Sequence, residues 1–245
     1  MGVATAYDSL APTYDSALAS ARWVRDRLWE RIRVIFPPGS RVLDVTAGTG
    51  LDAVHLAECG VQVIACDIAP GMLGQLRLKN PTIETHVADF NKLEADFGCD
   101  FDGIISTFAG LSTSRDLRPF ARSAARLLRP GGILLVHMLN RWPLLDLARQ
   151  MLTLRWPGFV RTLFLANRGI RLGGVNIPHY FYSPLPLYRR VFAEHFELLH
   201  VSGQGTLRPV GARWGSNLEK IECAIADRYP FHSLGTFFAL ELRHR

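Results

Sequence analysis

Three aspartates and two glycines mark where this chain can do chemistry. Asp44, Asp67 and Asp89 close the apolar runs of RVLDV, VQVIACD and TIETHVAD. Between the first two runs lies TAGTG, which carries Gly48 and Gly50. Glycine lets backbone approach a ligand closely, and the helix start that follows offers free N–H groups. GTGLDA also fits the G-x-G-x-x-G/A spacing of a dinucleotide loop, although a plain tight turn yields the same short pattern. The carboxylates discriminate better. A pyrophosphate at this rim would face negative charge, at least from Asp44, whereas a cation would be favoured. Asp67 follows Asp44 by 23 residues, the usual interval for an acid that binds ribose hydroxyls. A nucleoside with positive charge and no phosphate meets all three conditions.

The elements that hold these residues alternate. RVLDVT, VQVIACD, TIETHVAD, FDGIISTF and ILLVHML read as strands, with helices over Leu51–Cys59, from Pro70 to about Lys79, and over Arg115–Leu128. Near-continuous apolar strands separated by helices indicate a parallel sheet covered on both faces, a doubly wound α/β fold. In such a sheet ligands bind beyond the carboxyl ends of the strands, where strand order reverses. Residues 1–35 read as an amphipathic helical lid stopped by Pro37-Pro38-Gly39. Residues 141–182 break the rhythm. A helix over Trp142–Leu154 is expected, then extended chain turning at Asn167-Arg168-Gly169, together forming a cap on the core. Alternation then returns, with helices over Leu185–His195 and Asn217–Asp227 and strands FELLHVSG and TFFALELR. No linker separates a second domain, so 1–245 reads as one.

The stretches YDSLAPTYD, RVLDVTAGTGLDAVHLAECGVQVIACDIAPGML, VADF, FDGIISTFAGLS and ARLLRPGGILLVHML resemble the class I S-adenosylmethionine-dependent methyltransferases, closest to their small-molecule and lipid/quinone-type branch. The resemblance covers about the first 140 residues, and TFFALELR is similar to the family's last, antiparallel strand. It implies a Rossmann-like seven-stranded sheet, mostly parallel, and S-adenosylmethionine as cofactor with S-adenosylhomocysteine as product. It also implies roles. Ala47, Gly48 and Gly50 would let the cofactor's methionine portion come close, and Asp44 would anchor its amino group. Asp67 would take both ribose hydroxyls, with Ile68 and Met72 near the adenine. Asp89 would accept from the adenine amino group, with Phe90 packed on the ring. Phe108 would line the transfer site, and Tyr14 and Tyr7 would close over the methionine end. One residue departs from the pattern: Thr46 stands where the family usually has glycine. A β-branched side chain narrows the backbone approach, and its hydroxyl is a further candidate for bonding the cofactor.

The expected reaction is in-line displacement of a methyl group onto O, N or C of a small, acidic or lipophilic molecule. A nicotinamide-dependent oxidoreductase and a non-catalytic S-adenosylmethionine-binding protein are the alternatives. A base is needed only where the acceptor must lose a proton. The candidates are His137 near the end of the fifth strand, and His179, Tyr180 and Tyr182 where the cap returns to the core. No metal-ligand cluster emerges, and the four cysteines lack CxxC spacing, so they read as small buried hydrophobes of a reduced protein. The acidic start is unlike a secretory signal, which places the chain in the cytoplasm.

Net charge is +6 and uneven. Residues 141–190 hold eight arginines and only one acid, Asp146, for +7, which leaves the remainder near −1. Such a basic, aromatic segment suits an acidic or lipophilic substrate or peripheral contact with an anionic membrane. Nucleic acid is disfavoured. After the fourth strand the chain reads STFAGLS, with no planar amide to grip a base.

Overall fold

The computed structural model describes residues 2–93, 98–207 and 216–245. Its strands are β1 (Arg41–Asp44), β2 (Gln62–Asp67), β3 (Glu84–Val87), β4 (Phe101–Ser106), β5 (Leu128–Leu139), β6 (Asn167–Leu172), β7 (Val175–Tyr180), β8 (Phe196–Gln204) and β9 (Phe237–His244). Its longer helices are α1 (Val3–Leu10), α2 (Arg22–Ile35), α3 (Leu51–Glu58), α4 (Pro70–Lys79), α5 (Arg118–Leu127), α6 (Leu144–Leu152), α7 (Trp156–Phe164) and α8 (Ser216–Ile225).

Seven strands form one sheet in the order β3-β2-β1-β4-β5-β9-β8. β9 runs antiparallel to both neighbours, and every other pairing in this sheet is parallel. The sheet buries both faces. Val42 packs with Leu28, Ile32, Leu56 and Leu73 on one side. Its neighbour Leu43 packs with Phe101, Ile104 and Phe120 on the other. Successive side chains of a strand point to opposite faces, which is why β1 reads as unbroken apolar chain. Strand order reverses between β1 and β4, so the loops after these two strands open a crevice at the carboxyl edge.

The lid is not one helix. Pro12 and the turns that follow divide residues 1–35 into α1, a short helical turn at Tyr14–Ala17, and α2. The excursion also differs from its expected shape. α7 occupies chain expected to be extended, and β6 and β7 pair as a hairpin that turns at Gly173-Gly174, not at Asn167–Gly169. Both glycines have positive φ, +52° and +86°, the backbone that a tight two-residue hairpin turn demands. The hairpin packs Leu172, Val175 and Ile177 against Ala6 and Leu10 of α1. The helix expected over 185–195 covers Pro184–Phe192, and its second half is wound wide, with the Ala193 N–H bonded to the Tyr188 carbonyl. Of the cysteines only Cys66 is buried. Cys59 is half-buried, and Cys99 and Cys223 face solvent because neither lies on an element's inner face. Among the described residues, no helix is long and apolar enough to cross a membrane.

Candidate active site

A cavity opens in the crevice at the reversal point, the usual place for a small-molecule site in such a sheet. Its walls come from the β1–α3 loop, the β4 end, α1, α2, and the start of α4.

The β1–α3 loop sets one wall. Gly48 and Gly50 have φ of +55° and +83°, and a Cβ on Gly50 would sit 2.2 Å from Leu76 Cδ1. Glycine is therefore required at residue 50 both by backbone and by space. Asp67 buttresses this loop from the end of β2. One carboxylate oxygen accepts the Gly48 N–H at 2.8 Å, and the other accepts the Ala69 N–H at 2.9 Å. Both oxygens keep a free lone pair, and the residue lines the cavity. Burial pushes its pKa up against those two stabilising bonds.

Asp44 lies behind the wall. It is fully buried, and Oδ1 accepts the Thr46 N–H at 3.2 Å while Oδ2 has no partner among the described residues. Burial and the nearby Asp52 raise its pKa well above the carboxylate range. Thr46 lines the cavity in front of it, with its hydroxyl bonded to Ser106 Oγ at 2.7 Å. The Thr46 side chain fits because residue 110 is glycine. A Cβ there would come within 2.4 Å of Thr46 Cβ.

Sequence reasoning missed a buried polar cluster on the opposite wall. Arg25 of α2 is ion-paired with Asp52 of α3. Asp52 also accepts from Thr107 Oγ1 at 2.5 Å and from Trp29 Nε1 at 2.7 Å. Burial alone would raise the Asp52 pKa, but Arg25 and these donors hold it below the usual range. The Arg25 guanidinium lies 4.0 Å from the centre of the Phe108 ring. A signal existed: Arg25, Leu28 and Ile32 share one helical face at i, i+3, i+7 spacing, so a charge sits within the apolar stripe.

 Phe108 and Ala109 follow β4 with positive φ, +47° and +64°, a left-handed bend that costs free energy for non-glycine residues. His137 of β5 holds this bend. Its Nδ1 accepts the Phe108 N–H at 3.2 Å, and its carbonyl accepts the Ala109 N–H at 3.0 Å. The imidazole is fully buried, and burial pushes its pKa down to about 3. His137 thus sits behind Phe108 and off the cavity wall.

Residues of the N-terminal segment complete the wall. Tyr7 and Tyr14 line the cavity and meet edge to face at 6.2 Å. Burial raises both phenol pKa values, that of Tyr14 to about 12. Asp8 fastens α1 by accepting the Gly71 N–H at the start of α4 at 2.7 Å, where the helix dipole favours a carboxylate. Asp15 pairs with Lys79 at 2.7 Å and accepts from Thr49 Oγ1 at 2.5 Å.

The expected residues divide accordingly. Tyr7, Tyr14, Thr46, Ala47, Gly48, Asp67, Ile68, Met72, Phe90 and Phe108 come together on the cavity wall. Asp44, Gly50 and Asp89 do not line it. Asp89 instead accepts the Asn91 N–H at 2.9 Å and so caps the turn that carries Phe90. His179 is buried beside the lid, with Nδ1 3.0 Å from the Ile177 carbonyl and Nε2 3.4 Å from the Tyr7 hydroxyl. Tyr180 ends β7 opposite Asn167. Tyr182 lines a different hollow and donates its hydroxyl to the Ser114 carbonyl.

Residues 42–132 match a family model described as a methyltransferase domain. A demethylmenaquinone methyltransferase from Corynebacterium efficiens is 35% identical over 138 residues, which are 55% of this chain and 58% of that relative. The chain therefore spans little more than half the length of the curated relatives it matches. Among solved structures, an S-adenosylmethionine-dependent methyltransferase from Thermotoga maritima, described as a possible histamine N-methyltransferase, superposes with a TM-score of 0.63 at 15% identity, covering 100% of both chains. The [4+2]-cyclase SpnF gives the same TM-score at 18% identity, covering 99% of this chain and 95% of its own. At such identities the likeness shows the fold alone.

Proposed function

We propose that the chain is a class I S-adenosylmethionine-dependent methyltransferase, in line with the methyltransferase-domain match over residues 42–132, and that it transfers a methyl group from S-adenosylmethionine to O, N or C of a small acidic or lipophilic acceptor. The observation that carries this reading is Asp67 on the wall of a cavity floored by bare backbone at Gly48. A carboxylate held by two backbone N–H groups, with two lone pairs free, suits a ribose diol. The carboxylates of Asp67 and Asp52 on the cavity walls disfavour a phosphate-bearing ligand.

When bound, the cofactor supplies a methyl group on a positively charged sulfur that departs as a neutral thioether. The rest falls to the chain's own residues. Asp67 accepts the ribose hydroxyls. Ile68, Met72 and Phe90 offer the apolar walls for adenine. Arg25, already oriented by Asp52, is the cationic side chain on the wall suited to the methionine carboxylate. Asp44 supports the loop from behind by accepting the Thr46 N–H. Asp89 serves the adenine pocket by shaping the turn that presents Phe90. The lid (1–35) excludes water and, with the cap (141–182), holds the acceptor in line. Such alignment is worth roughly 7–11 kcal/mol of the barrier.

An acceptor that must lose a proton has a route through the lid. The His179 Nδ1–H donates to the Ile177 carbonyl, which leaves Nε2 as an acceptor toward Tyr7. Burial lowers the His179 pKa, so the ring is neutral near pH 7 and its Nε2 lone pair is free to accept. Tyr7 lines the cavity and links it to that nitrogen. His137 supports transfer by positioning Phe108, and Tyr182 by tying the cap's return to Ser114. Tyr180 stays a candidate acceptor contact at the end of the hairpin.

The relatives' name makes a quinone-type acceptor the first to assay, and the basic 141–190 segment fits peripheral contact with an anionic membrane. The test is transfer of labelled methyl from S-adenosylmethionine to demethylmenaquinol, simple phenols and carboxylic acids. Label in one of these products is expected. Cofactor binding without transfer to any class would refute the catalytic reading and leave a binding protein.

A further inference from the structure

We propose that the α6–α7 helical hairpin is a membrane-docking element that lies in the interface of an anionic bilayer. The two helices together bury a single residue, Thr162. On α7, Trp156, Val160 and Phe164 recur at i, i+4, i+8, the spacing of one face, and are 54%, 49% and 75% exposed. An apolar stripe of this kind normally faces a core; here it faces outward. Leu152 at the end of α6 is 83% exposed, and Leu154 between the helices is 71% exposed. Isolated exposed apolar residues need no explanation, but a contiguous patch marks a contact surface.

Charge identifies the occupant. The hairpin's Arg149, Arg155 and Arg161 are answered by one acid, Asp146, which lies 3.7 Å from Arg149. At the root, the Arg141 guanidinium donates to the carbonyls of Thr162, Leu163 and Leu165, clamping the end of α7 to the chain leaving β5. A hollow starting at Arg141 and Trp142 runs to Arg190 and to Arg118, which pairs with Asp116 at 2.8 Å, and a second hollow adds Arg122 and Arg189 beside Glu194, so arginines outnumber acids in both. Apolar side chains beside a field of arginines match an anionic lipid surface. A second copy of this chain would bring the +7 segment against itself. Each helix has nine residues, or roughly 14 Å at the α-helical rise. That is too short to cross the hydrocarbon and suits burial in the interface. Its use in delivering a lipophilic acceptor rests on the function proposed above; the docking itself does not.

The experiment is co-sedimentation of the full chain with phosphatidylcholine vesicles, with and without phosphatidylglycerol. Val160→Glu/Phe164→Glu is compared under the same conditions, with S-adenosylhomocysteine affinity measured in parallel. The expected result is sedimentation on the anionic vesicles, weakened by salt, and about tenfold less partition for the variant at unchanged ligand affinity. Equal partition onto neutral vesicles, no vesicle binding, or a variant that binds as wild type would overturn the proposal. So would a dimer of the wild type that the variant converts to monomer, because the patch would then be a self-interface. Loss of ligand affinity in the wild type with vesicle binding intact would sink the methyltransferase reading and leave the docking in place.

Discussion

Replacing Arg25 by Met removes one partner of the buried pair that joins α2 to α3 beside the cavity. The methionine fills much of the space but leaves Asp52 charged and buried. Breaking such a pair from one side costs about 3–5 kcal/mol. Asp52 keeps its bonds from Thr107 and Trp29, so the lower end, about 3 kcal/mol, is expected. For a chain of this length each kcal/mol shifts Tm by roughly 2–4 °C, giving a fall of about 6–12 °C at pH 7 by calorimetry. The pH dependence supplies the sign. In the wild type the folded-state pKa of Asp52 is depressed. Its contribution is therefore present above the unfolded value of about 3.9 and lost as pH falls through the folded pKa. Without Arg25 the buried carboxyl is raised instead, so protonation favours the variant's folded state. The gap between the two proteins narrows as pH drops toward 4. A variant that melts with the wild type at pH 7, or a gap that widens in acid, would refute the role given to this pair.

Asp67→Ala removes the acceptor of the ribose hydroxyls and loosens Gly48, and S-adenosylhomocysteine affinity should fall roughly ten- to hundredfold by calorimetry. Gly50→Ala meets Leu76 and a left-handed backbone, and denaturant melts should show a loss of about 2–4 kcal/mol. His137 is neutral when folded, with a pKa near 3 against about 6.5 unfolded. Between those values the unfolded chain binds the extra proton, so this residue makes stability fall as pH drops below about 6.5. His137→Asn should flatten that slope in urea titrations and lower turnover by releasing Phe108, without removing cofactor binding. Asp8→Ala, which unfastens α1 from α4, should raise the dissociation rate of S-adenosylhomocysteine in stopped flow.

The glycine loop and Asp67 were legible because chain geometry alone constrains them. A strand end, small residues and an acid at the next strand end have few other arrangements. Asp44 and Asp89 show the limit of that reasoning. Both end strands as expected, but Asp44 turns inward behind Thr46, and Asp89 spends its oxygen on the Asn91 N–H. Side-chain direction at a strand's last residue depends on the loop that follows, and linear spacing does not record it. Arg25 and Asp52 lie 27 residues apart and form a unit only once α2 packs on α3. α7 carries Trp156, Val160 and Phe164 at helical spacing, but its short run of aromatic and β-branched residues also suits extended chain, and apolar runs this short do not separate the two states. The hairpin turn followed the double glycine at 173–174 in preference to Asn167-Arg168-Gly169, because two successive positive φ angles are needed there.

The central claim is that the crevice between β1 and β4 seats a phosphate-free adenosine compound. Titration calorimetry of the chain with S-adenosylhomocysteine and, separately, with NADH tests it most directly. Saturable heat with the first alone is predicted, together with about 2.7 kcal/mol of added stability at a hundred times Kd. Binding of NADH with silence toward S-adenosylhomocysteine would contradict it.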